Sequence, residues 1–311
     1  MLKPMGSPGV RSYGTAKFNL ELDGLNAGWI WSVEGGMPVS EVVTEKLGPD
    51  HLLHKHISGI KYEDISLTFG TSMSNDFWVW VSDSFSQKYS RRNGALVSAN
   101  YDHRETKRLT FYNALVSEVS FPGLDAASKD PSKVTVKVVP EYSRIEKGTG
   151  ALATGPTQRQ KQHLWSPANF RFKIDGLDTS RVMKVEPFVL RQKVTQYQVG
   201  ELRDYQVEPV QVEYPNLVIT VAEAYSETFD KWYNSFVLQG KCDESGEKTG
   251  SLEYMTPNLR TSLLRLDFAG LGIFKTTTDK ADSSVDGIRK VKYELYCHQI
   301  KFVWNPQSYW G

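Results

Sequence analysis

Phe18, Leu20, Leu22, Asp23, Gly24 and Leu25 return as Phe170, Phe172, Ile174, Asp175, Gly176 and Leu177, each pair 152 positions apart. The same offset relates Tyr62, Ile65, Leu67 and Phe69 to Tyr214, Leu217, Ile219 and Val221, and Phe77 and Trp80 to Phe229 and Trp232. Farther on it becomes 157, where Phe111 meets Phe268, and Val134, Val136 and Val138 meet Val291, Tyr293 and Leu295. A difference of five fits a single insertion, most simply within 241–250. A period this long is not a solenoid unit but the size of a domain. The chain is therefore expected to use one architecture twice, and its function to need both copies.

The length of 311 residues suits two domains of ordinary size, each able to bury its own core. A hydrophobic fraction of 40%, with 12% aromatic, marks a globular chain. The formal charge of +1 gives no global electrostatic reason to bind nucleic acid or an anionic membrane. No apolar run is long enough to span a bilayer, so membrane insertion is not expected. The segment 1–15 lacks an apolar signal core and reads as a flexible arm. The two cysteines, Cys242 and Cys297, do not make a disulfide framework, and the cytoplasm is the natural compartment to expect.

The fold class reads as mainly β. Phe18-Asn-Leu-Glu-Leu, Ile65-Ser-Leu-Thr-Phe, Leu109-Thr-Phe and Val134-Thr-Val-Lys-Val alternate as half-buried strands do. One segment in each copy breaks the rhythm. After Ser74, a residue suited to cap a helix, Phe77, Trp80, Val81 and Phe85 fall on one helical face. After Ser226, so do Phe229, Trp232, Tyr233 and Phe236. Each copy thus reads as about six strands with a single helix inserted midway. The expected domains are 16–145 and 165–304, joined by a Gly-rich polar linker at 146–164 and followed by a tail at 305–311. Extended, the linker reaches roughly 60 Å, which allows the domains to lie side by side or one above the other. The stretches 33–57 and 189–214 read as long hairpins, longer than a compact domain needs, and long ordered loops on a sheet scaffold usually carry interactions.

Catalytic chemistry finds no foothold. His51, His54 and His56 have neither the spacing of a helical zinc pair nor that of a finger, and no cysteine lies nearby. Glu63 and Asp64 are adjacent, and on a strand they point to opposite faces. Gly35-Gly36 and Gly270-Leu-Gly do not form a phosphate loop, and no G-x-S-x-G elbow occurs. Arg91-Arg92, Arg104 and Lys107-Arg108 are interrupted by Asp102 and Glu105, so a solvated hairpin face or a subunit contact suits them better than nucleic acid. Trp78 and Trp80 read as core plus one exposed partner contact. No enzyme activity, cofactor or metal is expected.

The run Lys55-His-Ile-Ser-Gly-Ile-Lys-Tyr-Glu-Asp-Ile-Ser-Leu, the Phe77-x-x-Trp80 helix, the stretch from Phe111 to Ala126 and the closing strand from Val134 to Glu141 together resemble the inner tail-tube proteins of contractile phages and contractile injection systems. The resemblance spans about 16–145. The half 165–304 keeps the Asp-Gly-Leu turn, the helix aromatics and the closing strand but has no counterpart of Lys55-His56-Ile57, and looks like a diverged duplicate. The resemblance implies synthesis in a bacterial cytoplasm, a β-barrel or sandwich with one flanking helix in each copy, and six-domain rings whose inner sheets line a channel for cargo protein or DNA, with a long hairpin that touches the neighbouring ring. It implies incorporation in a phage tail or injection-system particle as inner tube or tube-end/baseplate adaptor. Partners would be other copies in homo-trimeric or homo-hexameric rings, and inner-tube, sheath or baseplate/hub proteins. Expected ring contacts are Val39, Val42, Lys55, His56, Ile57, Lys61, Tyr62, Glu63, Asp64, Tyr197, Gln206 and Glu208. The alternative is a small-molecule or glycan-binding β-barrel with no assembly role, its aromatics lining a pocket.

Overall fold

The computed structural model describes residues 17–304 apart from 47, 49–51, 71–72, 129–130, 154–165, 203 and 279–287. The expected arm, the tail, His51 and most of the expected linker lie outside the described residues. The first copy runs β1 (Lys17–Leu22), β2 (Leu25–Ile30), β3 (Ser32–Gly35), β4 (Pro38–Glu45), β5 (His54–Tyr62), β6 (Ile65–Phe69), α1 (Asn75–Phe85), β7 (Arg92–Ala99), β8 (Glu105–Phe121), β9 (Leu124–Asp125), β10 (Val134–Val139) and β11 (Tyr142–Lys147). The second runs β12 (Phe170–Ile174), β13 (Val182–Val185), β14 (Phe188–Tyr197), β15 (Gln206–Glu213), β16 (Leu217–Ala222), α2 (Glu227–Tyr233), β17 (Lys248–Met255), β18 (Ser262–Thr278) and β19 (Lys290–Trp304).

The sheet topology repeats as the sequence does. One ladder reads β1-β7-β8-β10-β6-β3 and the other β12-β17-β18-β19-β16-β13, every pair antiparallel. Register repeats too. Val134, Val136 and Val138 face Phe69, Leu67 and Ile65; Val291, Tyr293 and Leu295 face Val221, Ile219 and Leu217. A one-residue slip would turn each set of core side chains out to water, so register is held by the buried face. The Asp-Gly-Leu motif earns its recurrence at a turn: Gly24 and Gly176 sit at φ +81° and +77°, where an L side chain is strained. Asp23 N–H donates to Asn93 O at 2.8 Å, and Asp175 N–H to Thr249 O at 2.9 Å.

That register corrects the expected single insertion. Leu20 faces Leu96 and Phe172 faces Leu252, which sets β7 and β17 at an offset of 156. β8 and β18 stand at 157, since Gly94 faces Phe111 and Gly250 faces Phe268. Four extra residues therefore follow the second helix, and one lies in the β17–β18 turn. The helix absorbs part of the first change as a π turn at Asn234–Leu238, the form that inserted residues commonly take.

Both helices lay an aromatic face on their sheet. Ser74 Oγ accepts from Phe77 N–H at 3.3 Å, as an N-cap does. Ser226 instead donates to Asp230 Oδ2 at 2.7 Å. The Trp80 indole N–H donates to Ser90 O at 2.8 Å, and Trp232 repeats this to Gly246 O at 3.0 Å. Trp78 is buried along with Trp80, so neither is the exposed partner contact the sequence suggested. Its neighbours explain this: Phe69 and Phe77 meet it edge-on at 5.9 and 5.7 Å. Burial of each such ring stabilises by about 1.5–3 kcal/mol relative to exposure.

The closing strand differs between copies for a covalent reason. Pro140 separates β10 from β11, whereas β19 runs unbroken through the equivalent Cys297. Proline cannot donate to a ladder. β11 then carries the chain into residues expected to be linker. Gly148 N–H donates to Thr106 O at 3.0 Å and Ala153 N–H to His103 O at 2.7 Å, tying 146–153 to the first copy.

The two ladders share one hydrophobic core. Phe85 and Phe302 approach at 5.9 Å, and Phe121 meets Phe188, Tyr254 and Phe302 at 5.2, 5.9 and 6.1 Å.

Candidate assembly interface

Each copy extends one hairpin from its ladder, and the two hairpins have the same register. Val39 faces Lys61 and Glu45 faces His54 in β4–β5; Arg191 faces Glu213 and Tyr197 faces Gln206 in β14–β15. Both carry a bulge at the same place, after Ser40 and after Lys193. Their surroundings differ completely. β4–β5 is a sheet of its own, with almost every residue exposed. β14 adds to the edge of β8, with Phe188 opposite Phe121 and Arg191 opposite Glu118. One copy thereby completes the other's sheet, the edge-addition mode by which extended segments bind sheets. β9 returns the exchange by pairing with β13, Leu124 opposite Val185.

Side chains fix this junction. A small buried cluster of Leu115, Val139 and Val207, with Val194 against it, joins the second hairpin to the first sheet. Arg91 ties the tip: its guanidinium lies 2.6 Å from Glu208 Oε2 and 3.9 Å from Glu141 Oε1, and it donates to Val207 O at 2.9 Å. Arg191 lies 3.2 Å from Glu118 at the base. Tyr214 O–H donates to Phe85 O at 3.0 Å, satisfying a carbonyl at the end of α1. Burial raises the Tyr214 phenol above its ordinary value, which keeps it a donor.

The expected contact residues divide by copy. Glu208 lies in the junction, with Tyr197 and Gln206 at the far end of the same hairpin. Val39, Val42, Lys55, His56, Ile57 and Lys61 line the open hairpin, with Val42 and Ile57 62% and 71% exposed. Lys61 is paired with Glu41 at 2.5 Å. Tyr62 O–H reaches Asp204 Oδ1 at 2.8 Å, linking the base of one hairpin to the tip loop of the other. Glu63 and Asp64 are not on a strand; they connect β5 to β6, and burial raises Asp64 above the usual carboxylate range. β14–β15 lies on the first sheet of its own chain.

The sequence reading missed the acceptor side: Arg91, Glu118, Glu141, Leu115 and Val139. Arg91 had been set aside as part of a basic hairpin. Two more of that basic group are engaged as well, Arg92 with Asp23 at 2.6 Å and Arg108 with Glu21 and Glu105 at 2.6 and 2.8 Å. Among the described residues no three His, Cys, Asp or Glu side chains gather as a metal site, and no helix is long and apolar enough to cross a membrane. The recesses are shallow; one of about 330 Å³ is lined by charged groups such as Lys173, Asp175, Glu253 and Arg265.

Among solved structures, the anti-feeding prophage tube terminating cap is similar at 14% identity and a TM-score of 0.41, over 47% of this chain and 97% of that one. A chain of an extracellular contractile injection system, the PVC sheath–tube complex in its extended state, is similar at 13% identity and a TM-score of 0.40, over 45% and 94%. Hcp1 from Flavobacterium johnsoniae is similar at 15% identity and a TM-score of 0.30, over 42% and 96%. No curated protein sequence matches. Residues 14–144 match the family of T4-like virus tail tube protein gp19. The match to the tail tube family thus covers the first copy, and the second copy reproduces the first's strand order.

Proposed function

We propose that the chain is a structural component of a contractile tail or injection system, and that its two copies are neighbours in one ring around a central channel. The observation that carries this reading is the junction: two ladders of the same order joined side by side by edge pairing of β14 on β8. Copies joined laterally occupy adjacent places in a ring, not successive rings of a stack. A sixfold arrangement of domains then closes with three chains. Closure also removes sheet edges that a single chain leaves open. Because the copies differ, the ring has threefold chemistry on a sixfold frame, which suits a tube end or baseplate adaptor between a sixfold tube and a threefold hub. Inner-tube, sheath and baseplate proteins are the fitting partners, and cargo protein or DNA the content of the channel.

Native mass spectrometry of purified full-length protein, with negative-stain microscopy of the same sample, tests this. The expected result is a three-chain species with a central hole. A strictly monomeric chain at high concentration, with and without tube partners, overturns it.

A further inference from the structure

The internal repeat makes the junction inside the chain a template for a junction between chains. We propose that β4–β5 of one chain docks on the second copy of a neighbouring chain as β14–β15 docks on the first copy within a chain, and that reversed charges at the two junctions enforce alternation of copies. This rests on the ring reading above and names the surface and specificity it requires.

The acceptor is present and open. The β8 edge used by β14 is 118–121, and its counterpart at the offset of 157 is 275–278 of β18. That stretch pairs with β19 on one side, and among the described residues no strand pairs with its other side. The hairpin that would fill it is the exposed β4–β5. Pro38 supplies no donor, so its neighbours must carry the ladder at that point.

Exposed apolar groups fall where the template places contacts. Phe85 against Phe302 maps to Val237 and Ile145, which are 37% and 46% exposed. Val194, which packs against the Leu115–Val139–Val207 cluster, maps to Val42. Of its partners, Leu115 and Val139 map to Gly272 and Tyr296, and Val207 maps to Lys55. The Tyr296 ring lies over Gly272 so closely that a Cβ there would collide with it. These positions were selected by the repeat alone, yet they include large apolar side chains that face water in a single chain.

Most of the charges map with their signs exchanged, while Arg191 maps to the uncharged Val39. Arg91, Glu141 and Glu208 at the internal junction correspond to Glu247, His298 and His56. Glu247 and His298 already lie 3.0 Å apart, as the counterparts of Arg91 and Glu141 should. Glu118 corresponds to Lys275, and its cross-strand partner Lys137 to Glu294, which pairs with Lys275 at 2.5 Å. The first hairpin therefore brings the basic tip Lys55-His56 to Glu247. Mismatched docking meets repulsion. The second hairpin on a second copy would set Glu208 against Glu247 and Arg191 against Lys275. The first hairpin on a first copy would set Lys55-His56 against Arg91. Specificity through penalised alternatives is the physical logic of such a pattern.

The test is a charge swap in the full-length chain, read by mass photometry over a dilution series. Glu247→Arg and His56→Glu are each expected to raise the concentration for half-assembly at least tenfold, and the double variant to recover most of that loss. Circular dichroism and thermal melting check that each variant folds. Glu247 also accepts from Tyr296 O–H at 2.8 Å, so a second probe avoids it. Ile145→Cys with Val237→Cys, in a Cys242→Ser background, should cross-link chain to chain on oxidation and stop at a closed ring. If the wild type forms rings but single swaps assemble unchanged, the double variant fails to recover, or the cysteines do not cross-link, this docking mode is wrong while the ring reading stands. If the wild type forms no ring, the ring reading itself fails.

Discussion

Phe121 tests whether the two copies are one cooperative unit. It is 2% exposed, and its ring neighbours Phe188, Tyr254 and Phe302 all belong to the second copy. Phe121→Ala removes a fully buried ring at the seam, a change that costs about 3–5 kcal/mol in well-packed cores. Part of this is aromatic pairing, about 0.5–1.5 kcal/mol for a pair beyond its burial. With a urea slope of about 3 kcal/mol/M, the midpoint should fall by roughly 1–1.7 M. The assay is equilibrium urea unfolding followed by tryptophan fluorescence and by far-UV circular dichroism. The shared core requires one transition in both signals, moved as a whole. Tyr101→Ala, at a residue 90% exposed, should stay within about 0.5 kcal/mol of wild type. Two transitions with only one displaced, or a shift below about 0.3 M with the slope unchanged, would refute the shared core.

Trp80→Phe and Trp232→Phe each strip a carbonyl, Ser90 O or Gly246 O, of its indole donor. Each should cost about 1–3 kcal/mol by thermal or urea unfolding, and equal stability to wild type would show that the repeated bond is idle. Cys242 is exposed, while burial pushes the Cys297 thiol up to about 11. A chromogenic disulfide reagent at neutral pH should therefore titrate one thiol per native chain and two after unfolding; two fast native thiols would contradict the buried position. Glu105 is held below its ordinary 4.5, chiefly by its bond from Arg108. A depressed carboxylate contributes stability above its unfolded pKa and loses it as pH falls through the folded one. The stability gap between wild type and Glu105→Gln should be full at neutral pH and close as pH falls below 4.5. A gap undiminished well below that range would show that the ion pair does not cause it.

The repeat was legible because buried strand positions must stay apolar in both copies, as Val134, Val136 and Val138 and their counterparts do. The helices were legible through their aromatic spacing. Where the extra residues fall was not, because turns tolerate almost any polar residue and leave no periodic trace. Trp78 was misjudged because helical spacing identifies a face but not the Phe69 ring that covers its flank. The docking of β14 on β8 was hidden for a deeper reason: pairing between copies is long-range, and neither edge has a distinctive composition. One signal was available. The offset of 152 puts Glu208 over His56, and such a change of charge at matched positions marks a place where the copies meet something different; Arg91 over Glu247 needs the offset of 156 that the strand register supplies.

The central claim is that two unlike copies alternate around one ring. A cryo-electron microscopy map of the assembled protein, resolved to individual strands and reconstructed without imposed symmetry, tests it most directly. The account predicts three chains, first and second copies alternating, with each β4–β5 hairpin on the β18 edge of the next chain. Two stacked rings with one kind of copy in each, or a ring in which β4–β5 stands free of the neighbouring β18, would contradict it.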